Sequence, residues 1–218
     1  MADLDALLAF ALIVTLIVTS PGPNLFLLLR TVPTFGRFAG LANTLGFATA
    51  ILTHATLSFI GVGAILATSA TAFTVLKIAG AGYLFWLGLK ALRSAIAGPR
   101  AISTPELDPA TEGLAPRHLM RFAEGFLTNI LNPKPALFYL AAFPQFLVVG
   151  GAPLWSQALV LALVHAAIAL AWYGFVVLTL SQFVRWLRRP RLWQAIQGLT
   201  GVALTLLAVR LLLLRQSP

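Results

Sequence analysis

Fifty consecutive residues, Pro135 to Val184, contain no aspartate, glutamate, lysine or arginine. Two shorter uncharged stretches precede them, 24 residues between Asp5 and Arg30 and 39 between Arg37 and Lys77. A helix needs about 20 apolar residues to cross a bilayer, because it rises about 1.5 Å per residue through a hydrocarbon core about 30 Å thick. The two longer stretches therefore have room for two crossings, or nearly two. A soluble domain carries about a quarter of its residues charged. Here 10% of 218 residues are charged and 59% are hydrophobic. The chain is an integral membrane protein.

The net charge of +9 does not point to nucleic acid, because the basic residues stand at the ends of apolar segments, where they act as topology signals. The absence of cysteine excludes disulfides, thiolate metal sites and cysteine nucleophiles. The N-terminus, "MADLDALLAF", is acidic and lacks the basic n-region of a cleavable signal peptide, so it reads as the start of a retained helix.

Six spans are expected, at roughly 4–29, 38–66, 72–92, 122–149, 154–184 and 192–214. Short turns at Thr68–Thr71 and Gly150–Pro153 divide the two long apolar stretches. The segment 98–118, with four prolines and mixed charge, is the only substantial hydrophilic loop and reads as a cytoplasmic linker between halves at 1–97 and 119–218. Eleven lysines and arginines fall on the side of the 1–2, 3–4 and 5–6 connections, against three on the other side. Basic loops stay in the cytoplasm, which places both termini outside.

The halves share a pattern. "SPGPNLFLL" (Ser20–Leu28) and "NPKPALFYL" (Asn132–Leu140) align at an offset of 112 residues, with seven identities over Phe10–Arg30. Ile78 and Gly80 recur as Ile196 and Gly198. Halves with an odd number of spans must lie in the membrane with opposite orientation. The expected fold is all-α, six transmembrane helices as two inverted three-helix repeats with broken first and fourth helices. Such repeats point to alternating-access transport.

Each Pro-x-Pro frees carbonyls one turn earlier, and in hydrocarbon these need a partner, so the breaks should face protein or a watery cavity. The candidate substrate site is the residues around the breaks: Ser20, Pro21, Gly22, Pro23 and Asn24, with Asn129, Asn132, Pro133, Lys134 and Pro135. Lys134 is expected either to bind a substrate carboxylate or to hold the freed carbonyls. Glu124, ten residues earlier, is too far along its helix to partner it. His54 and His165, near the middle of the second and fifth spans, are candidates for proton coupling, with a neutral structural imidazole as the alternative for each. Trp172 and Tyr173 offer aromatic faces, with core packing as their main expected role. Gly80, Gly82, Gly198 and Gly201 are expected to let helices approach closely.

"SPGPNLFLLLR", "LKIAGAGYLFWLGLKALR" and "GFLTNILNPKPALFYLAAFPQF" resemble the lysine-exporter (LysE/RhtB) family of bacterial amino-acid efflux proteins over essentially the whole chain. Gly125, Asn129, Asn132, Pro133 and Lys134 match the family pattern residue by residue, and Pro21–Pro23 is its other signature. The resemblance implies an inner-membrane exporter of amino acids or close derivatives driven by proton-motive force, with no cofactor and no metal. Its partners would be the substrate, the proton and the bilayer, with homo-oligomerisation open. Many family members carry an aspartate about where this chain has Val164 and His165. No acidic residue lies deep in any span here, so neutral amino acids or their derivatives are favoured over cationic ones.

Two other readings compete. An exporter of metal ions or other small solutes would use the same scaffold, but the spans offer at most two histidines as ligands. An intramembrane enzyme would need a nucleophile–base or carboxylate pair that the spans do not show.

Overall fold

A computed structural model of the chain describes residues 4–68, 70–98, 117–147, 152–180, 182 and 189–213. Most of the expected linker lies outside the described residues. The architecture is all-helical: α1 (Leu4–Thr19), α2 (Pro23–Thr68), α3 (Ala70–Ala97), α4 (Arg117–Ile130), α5 (Pro133–Ala141), a 3₁₀ turn (Phe143–Phe146), α6 (Leu154–Leu178) and α7 (Pro190–Leu213). Among the described residues three helices, within Pro23–Gly61, Leu154–Leu178 and Pro190–Val209, are long and apolar enough to cross a membrane by themselves. The protein is a polytopic membrane protein.

Two expected breaks are in place. The first apolar segment is interrupted at Ser20–Gly22, between α1 and α2, and the fourth at Leu131–Asn132, between α4 and α5. A proline opens each second half. Pro23 is the first residue of α2 and Pro133 the first of α5, where a missing N–H costs nothing because that donor has no helical acceptor anyway. The expected turn between the first two spans is a kink within α2 at Gly36, whose φ of 83° and ψ of 175° suit a residue without Cβ. Arg121 of α4 lies 3.6 Å above the Phe35 ring beside this kink and chelates Glu124 at 2.8 and 2.9 Å.

The helices pack through glycine. A Cβ on Gly125 would stand 2.7 Å from Asn43 Cα, and one on Gly46 would stand 3.0 Å from the Gly125 carbonyl carbon, so α2 and α4 touch backbone to backbone. At the α3–α7 crossing, a Cβ on Gly88 would lie 2.9 Å from Gly201 O and one on Gly201 2.8 Å from Gly88 O. Gly201 therefore has the expected role, and its partner is Gly88. Gly82 and Gly198 do not have it, since a Cβ there would meet nothing within 4 Å. The surroundings of Gly80 lie outside what is described.

The distribution of side chains is inverted relative to a water-soluble fold. Leu8, Leu12, Phe38, Leu57, Leu163 and Leu206 are exposed, while Asn24, Asn43, His54, Asn129, His165 and Gln197 are buried. Lipid satisfies the first set, and only hydrogen bonds inside the bundle can satisfy the second. Threonines on the helix faces solve the problem locally: Thr15, Thr44, Thr49, Thr53 and Thr56 each donate to the carbonyl four residues earlier.

Candidate functional site

The last carbonyls of a helix lack intrahelical donors. At the end of α1 two other helices, α5 and α6, supply them. Lys134 Nζ, from α5, donates to Ser20 O at 3.1 Å and Ile17 O at 3.4 Å. The Tyr173 hydroxyl, from α6, donates to Val18 O at 3.3 Å, and Thr200 Oγ1, from α7, adds a 3.4 Å bond to Leu16 O, which already accepts from Ser20 N at 3.1 Å. The C-terminal end of a helix carries partial negative charge. An ammonium against it is therefore stabilised both by the dipole and by two direct bonds. Gly22 leaves room for it, since a Cβ there would stand 3.2 Å from Nζ.

Asparagines join the two breaks. Asn132 is the N-cap of α5 and accepts from Lys134 N at 3.0 Å, which fixes the backbone that carries the lysine. Asn129 Oδ1 accepts from Asn24 Nδ2 at 3.0 Å, and Asn129 Nδ2 donates to Phe47 O at 2.8 Å. Asn24 Oδ1, buried, has no hydrogen-bond partner. It belongs to the lining of a void of about 20 Å³, which also includes Asn129, Lys134, His165 and Tyr173. That is about the space one water needs.

On the far side of this void three rings form a stack. Tyr139 lies between His54 and His165, with centroids 5.9 and 5.6 Å away and planes inclined by 13° and 14°. The Tyr139 hydroxyl shares a 2.9 Å hydrogen bond with His165 Nδ1. His54 Nε2 donates to Asn129 O at 3.3 Å, and since a carbonyl only accepts, Nε2 carries the proton. Phe10, Phe138 and Phe143 pack around the stack, with Phe146 behind Phe10.

On the other side of Lys134 opens a cavity of about 860 Å³. It is bounded by the start of α2, the second half of α3 and the first half of α7, and reaches the helix ends at Arg93, Gly98 and Trp193. Ser20, Gly22, Asn132 and Lys134 line both spaces and so form the partition between them. Ser20 Oγ donates to Gln197 Oε1 at 3.5 Å, Gln197 Nε2 to Ser94 Oγ at 3.3 Å, and Trp193 Nε1 to Ser94 O at 3.0 Å.

The structure gathers most of the expected site residues. Ser20, Pro21, Gly22, Pro23, Asn132, Pro133 and Lys134 line the cavity, and Asn24, Asn129, Pro135 and His165 line the small void. His54 lines neither and lies behind Tyr139. Glu124 is held by Arg121, as its separation from Lys134 requires. Tyr173 is buried against Phe47, centroid to centroid 5.0 Å, and caps α1, while Trp172 lies 6.1 Å from the ring of Phe175. Sequence reasoning missed Tyr139, Ser94, Trp193 and Gln197, and it used Lys90 and Arg93 only as topology charges. The one available signal for Tyr139 was its place seven residues beyond the Asn132 cap, two helical turns along the face of α5 that carries the cap.

The sequence profile of the family described as "LysE type translocator" matches residues 15–215. An uncharacterized membrane protein of Bacillus subtilis is 29% identical over 92% of this chain and 95% of its own. The homoserine/homoserine lactone efflux protein of Salmonella typhimurium is 28% identical over 88% of this chain and 89% of its own. The leucine efflux protein of Klebsiella pneumoniae is 29% identical over 89% of each. No solved structure matches the chain at a significant level.

Proposed function

The chain belongs to the LysE type translocators, and from that membership we propose that it is a secondary transporter exporting amino acids or close derivatives across the bacterial inner membrane. The observation that carries the reading is Lys134, an ammonium held at the junction of two broken helices and forming one wall of a large cavity. A substrate carboxylate entering that cavity competes with the Ser20 and Ile17 carbonyls for the lysine. Binding therefore loosens the contact between α5 and the end of α1, which is the kind of change alternating access needs. No catalytic chemistry is assigned to the site.

In this reading the chain has six spans arranged as inverted halves, 1–97 and 119–218, joined by a cytoplasmic linker, with both termini periplasmic. The end of the bundle bearing Arg93 and Trp193 is then cytoplasmic, and the cavity faces inward, ready to load. The aromatic cluster around Phe10 closes the opposite side. Export is coupled to proton entry, with His54 and His165 as the responding groups. Support for this comes from their burial and from the Tyr139 ring that joins them.

Proteoliposomes loaded with a labelled amino-acid panel test the reading, with and without a pH gradient. Wild type is expected to release a few members in a gradient-dependent way. Lys134→Ala, and to a lesser degree Lys134→Arg, is expected to lose that release while still inserting. Normal release by both variants would remove Lys134 from the site, and release that ignores the gradient would remove the proton.

A further inference from the structure

The charge and hydrogen-bonding balance of the cavity restrict what it accepts. Three cationic side chains line it, Lys90, Arg93 and Lys134, and among the described residues no carboxylate does. Glu124 is chelated by Arg121 on another helix. Several acceptors along the wall are already engaged: Ser20 O by Lys134, Ser94 O by Trp193, Ser94 Oγ by Gln197 and Gln197 Oε1 by Ser20. Trp86, the aromatic face best suited to a cation, already has Lys90 Nζ 5.1 Å from its centroid. Much of the remaining wall is apolar, formed by Leu25, Phe26, Leu87 and Leu204 with the rings of Tyr83 and Trp86.

A zwitterionic amino acid brings its ammonium within one carbon of its carboxylate. If the carboxylate meets Lys134, the ammonium stands among like charges, and no carboxylate in the described lining balances it. Capping the amine as an amide removes the charge and adds a carbonyl acceptor, which suits a wall with donors in surplus. The volume, about 860 Å³, is at the upper end of the usual range for small-molecule pockets and leaves room for the cap.

We propose that this cavity selects N-acyl amino acids with apolar side chains, net-anionic carboxylates whose amine is capped, over the corresponding zwitterions. The selection rests on the export reading above and names the substrate class of the same site. Lys134 receives the carboxylate, Lys90 supplies the second positive charge, and the leucine and aromatic wall receives the side chain and the cap.

The test uses the full chain in proteoliposomes loaded with equal concentrations of labelled N-acetyl-leucine, leucine or leucinamide, with protein-free vesicles as background. N-acetyl-leucine is expected to leave about tenfold faster than leucine, a difference set by one charge. Leucinamide, a cation without a carboxylate, should leave no faster than background. Lys90 is exposed, so Lys90→Gln folds, and it should narrow the ratio of capped to free leucine about threefold. Leucine leaving as fast as its capped form would overturn the selection and keep the export reading. An unchanged ratio in Lys90→Gln would also overturn it, since charge would not be what discriminates. Release of none of the three would overturn the export reading itself.

Discussion

Lys134 Nζ and the Ser20 carbonyl oxygen are 3.1 Å apart although 114 residues separate them in the chain. The lysine leaves one broken helix and closes the end of the other. Alone, a proline break exposes carbonyls and an intramembrane lysine carries an unbalanced charge, and both are costly in lipid. Placed against each other, each supplies what the other lacks.

Gly22 sets the space for this contact. In Gly22→Ala the new Cβ stands 3.2 Å from Nζ, and the end of a flexible side chain can shift by a few tenths of an ångström. Transport by this variant should fall only modestly. Gly22→Leu occupies the ammonium's position and should abolish transport by a protein that still inserts. Initial efflux rates, normalised to the amount of inserted protein, check the contrast.

Gly125→Ala should destabilise the bundle, because its Cβ would lie 2.7 Å from Asn43 Cα and backbone cannot swing away. Overpacking of this kind costs about 1–3 kcal/mol. The control is Gly198→Ala, whose Cβ would meet nothing within 4 Å and which should be neutral. Melting temperatures in detergent should fall for the first and stay level for the second.

Asn129 should couple energetically to Asn24. The pair shares a 3.0 Å bond, and Asn129 also donates to Phe47 O. Interhelical bonds of this type in membranes average about 0.6 kcal/mol and reach about 1.7. Burial places this pair towards the upper part of that range. A double-mutant cycle of Asn24→Ala and Asn129→Ala on unfolding free energy measures it, and Asn129→Ala should be the more damaging single change.

Tyr139→Phe removes only the hydroxyl bonded to His165 Nδ1 and keeps the ring between the two histidines. If the stack couples proton movement to export, gradient-driven efflux should slow about tenfold, the equivalent of one lost hydrogen bond. Substrate exchange without a gradient should be nearly unchanged. An equal loss in both assays would assign Tyr139 to packing.

How much of this was legible in advance follows from the range of each interaction. The uncharged stretches fixed a membrane protein, and Ser20–Pro23 with Asn132–Pro135 fixed where helices stop and restart, because hydropathy, N-capping and proline stereochemistry act within a few residues. Lys134 stood out for the same reason. Of the glycine expectations only one of the three described was right: Gly201 packs tightly, whereas Gly82 and Gly198 face open space, and no local signal tells which face of a helix meets a neighbour.

The sequence by itself determined the medium, the helices, their two breaks and the charge set between them. Only the tertiary structure decided the partners. It brought Tyr173 to Val18 O across 155 residues and Lys134 to Ser20 O, set Tyr139 between two histidines, and turned Lys90 and Arg93 from topology signals into cavity lining. The physical reason is that a freed carbonyl must be satisfied in lipid, but any donor the packing delivers will do. The requirement is local and written in the chain, whereas the choice of donor depends on how the helices cross.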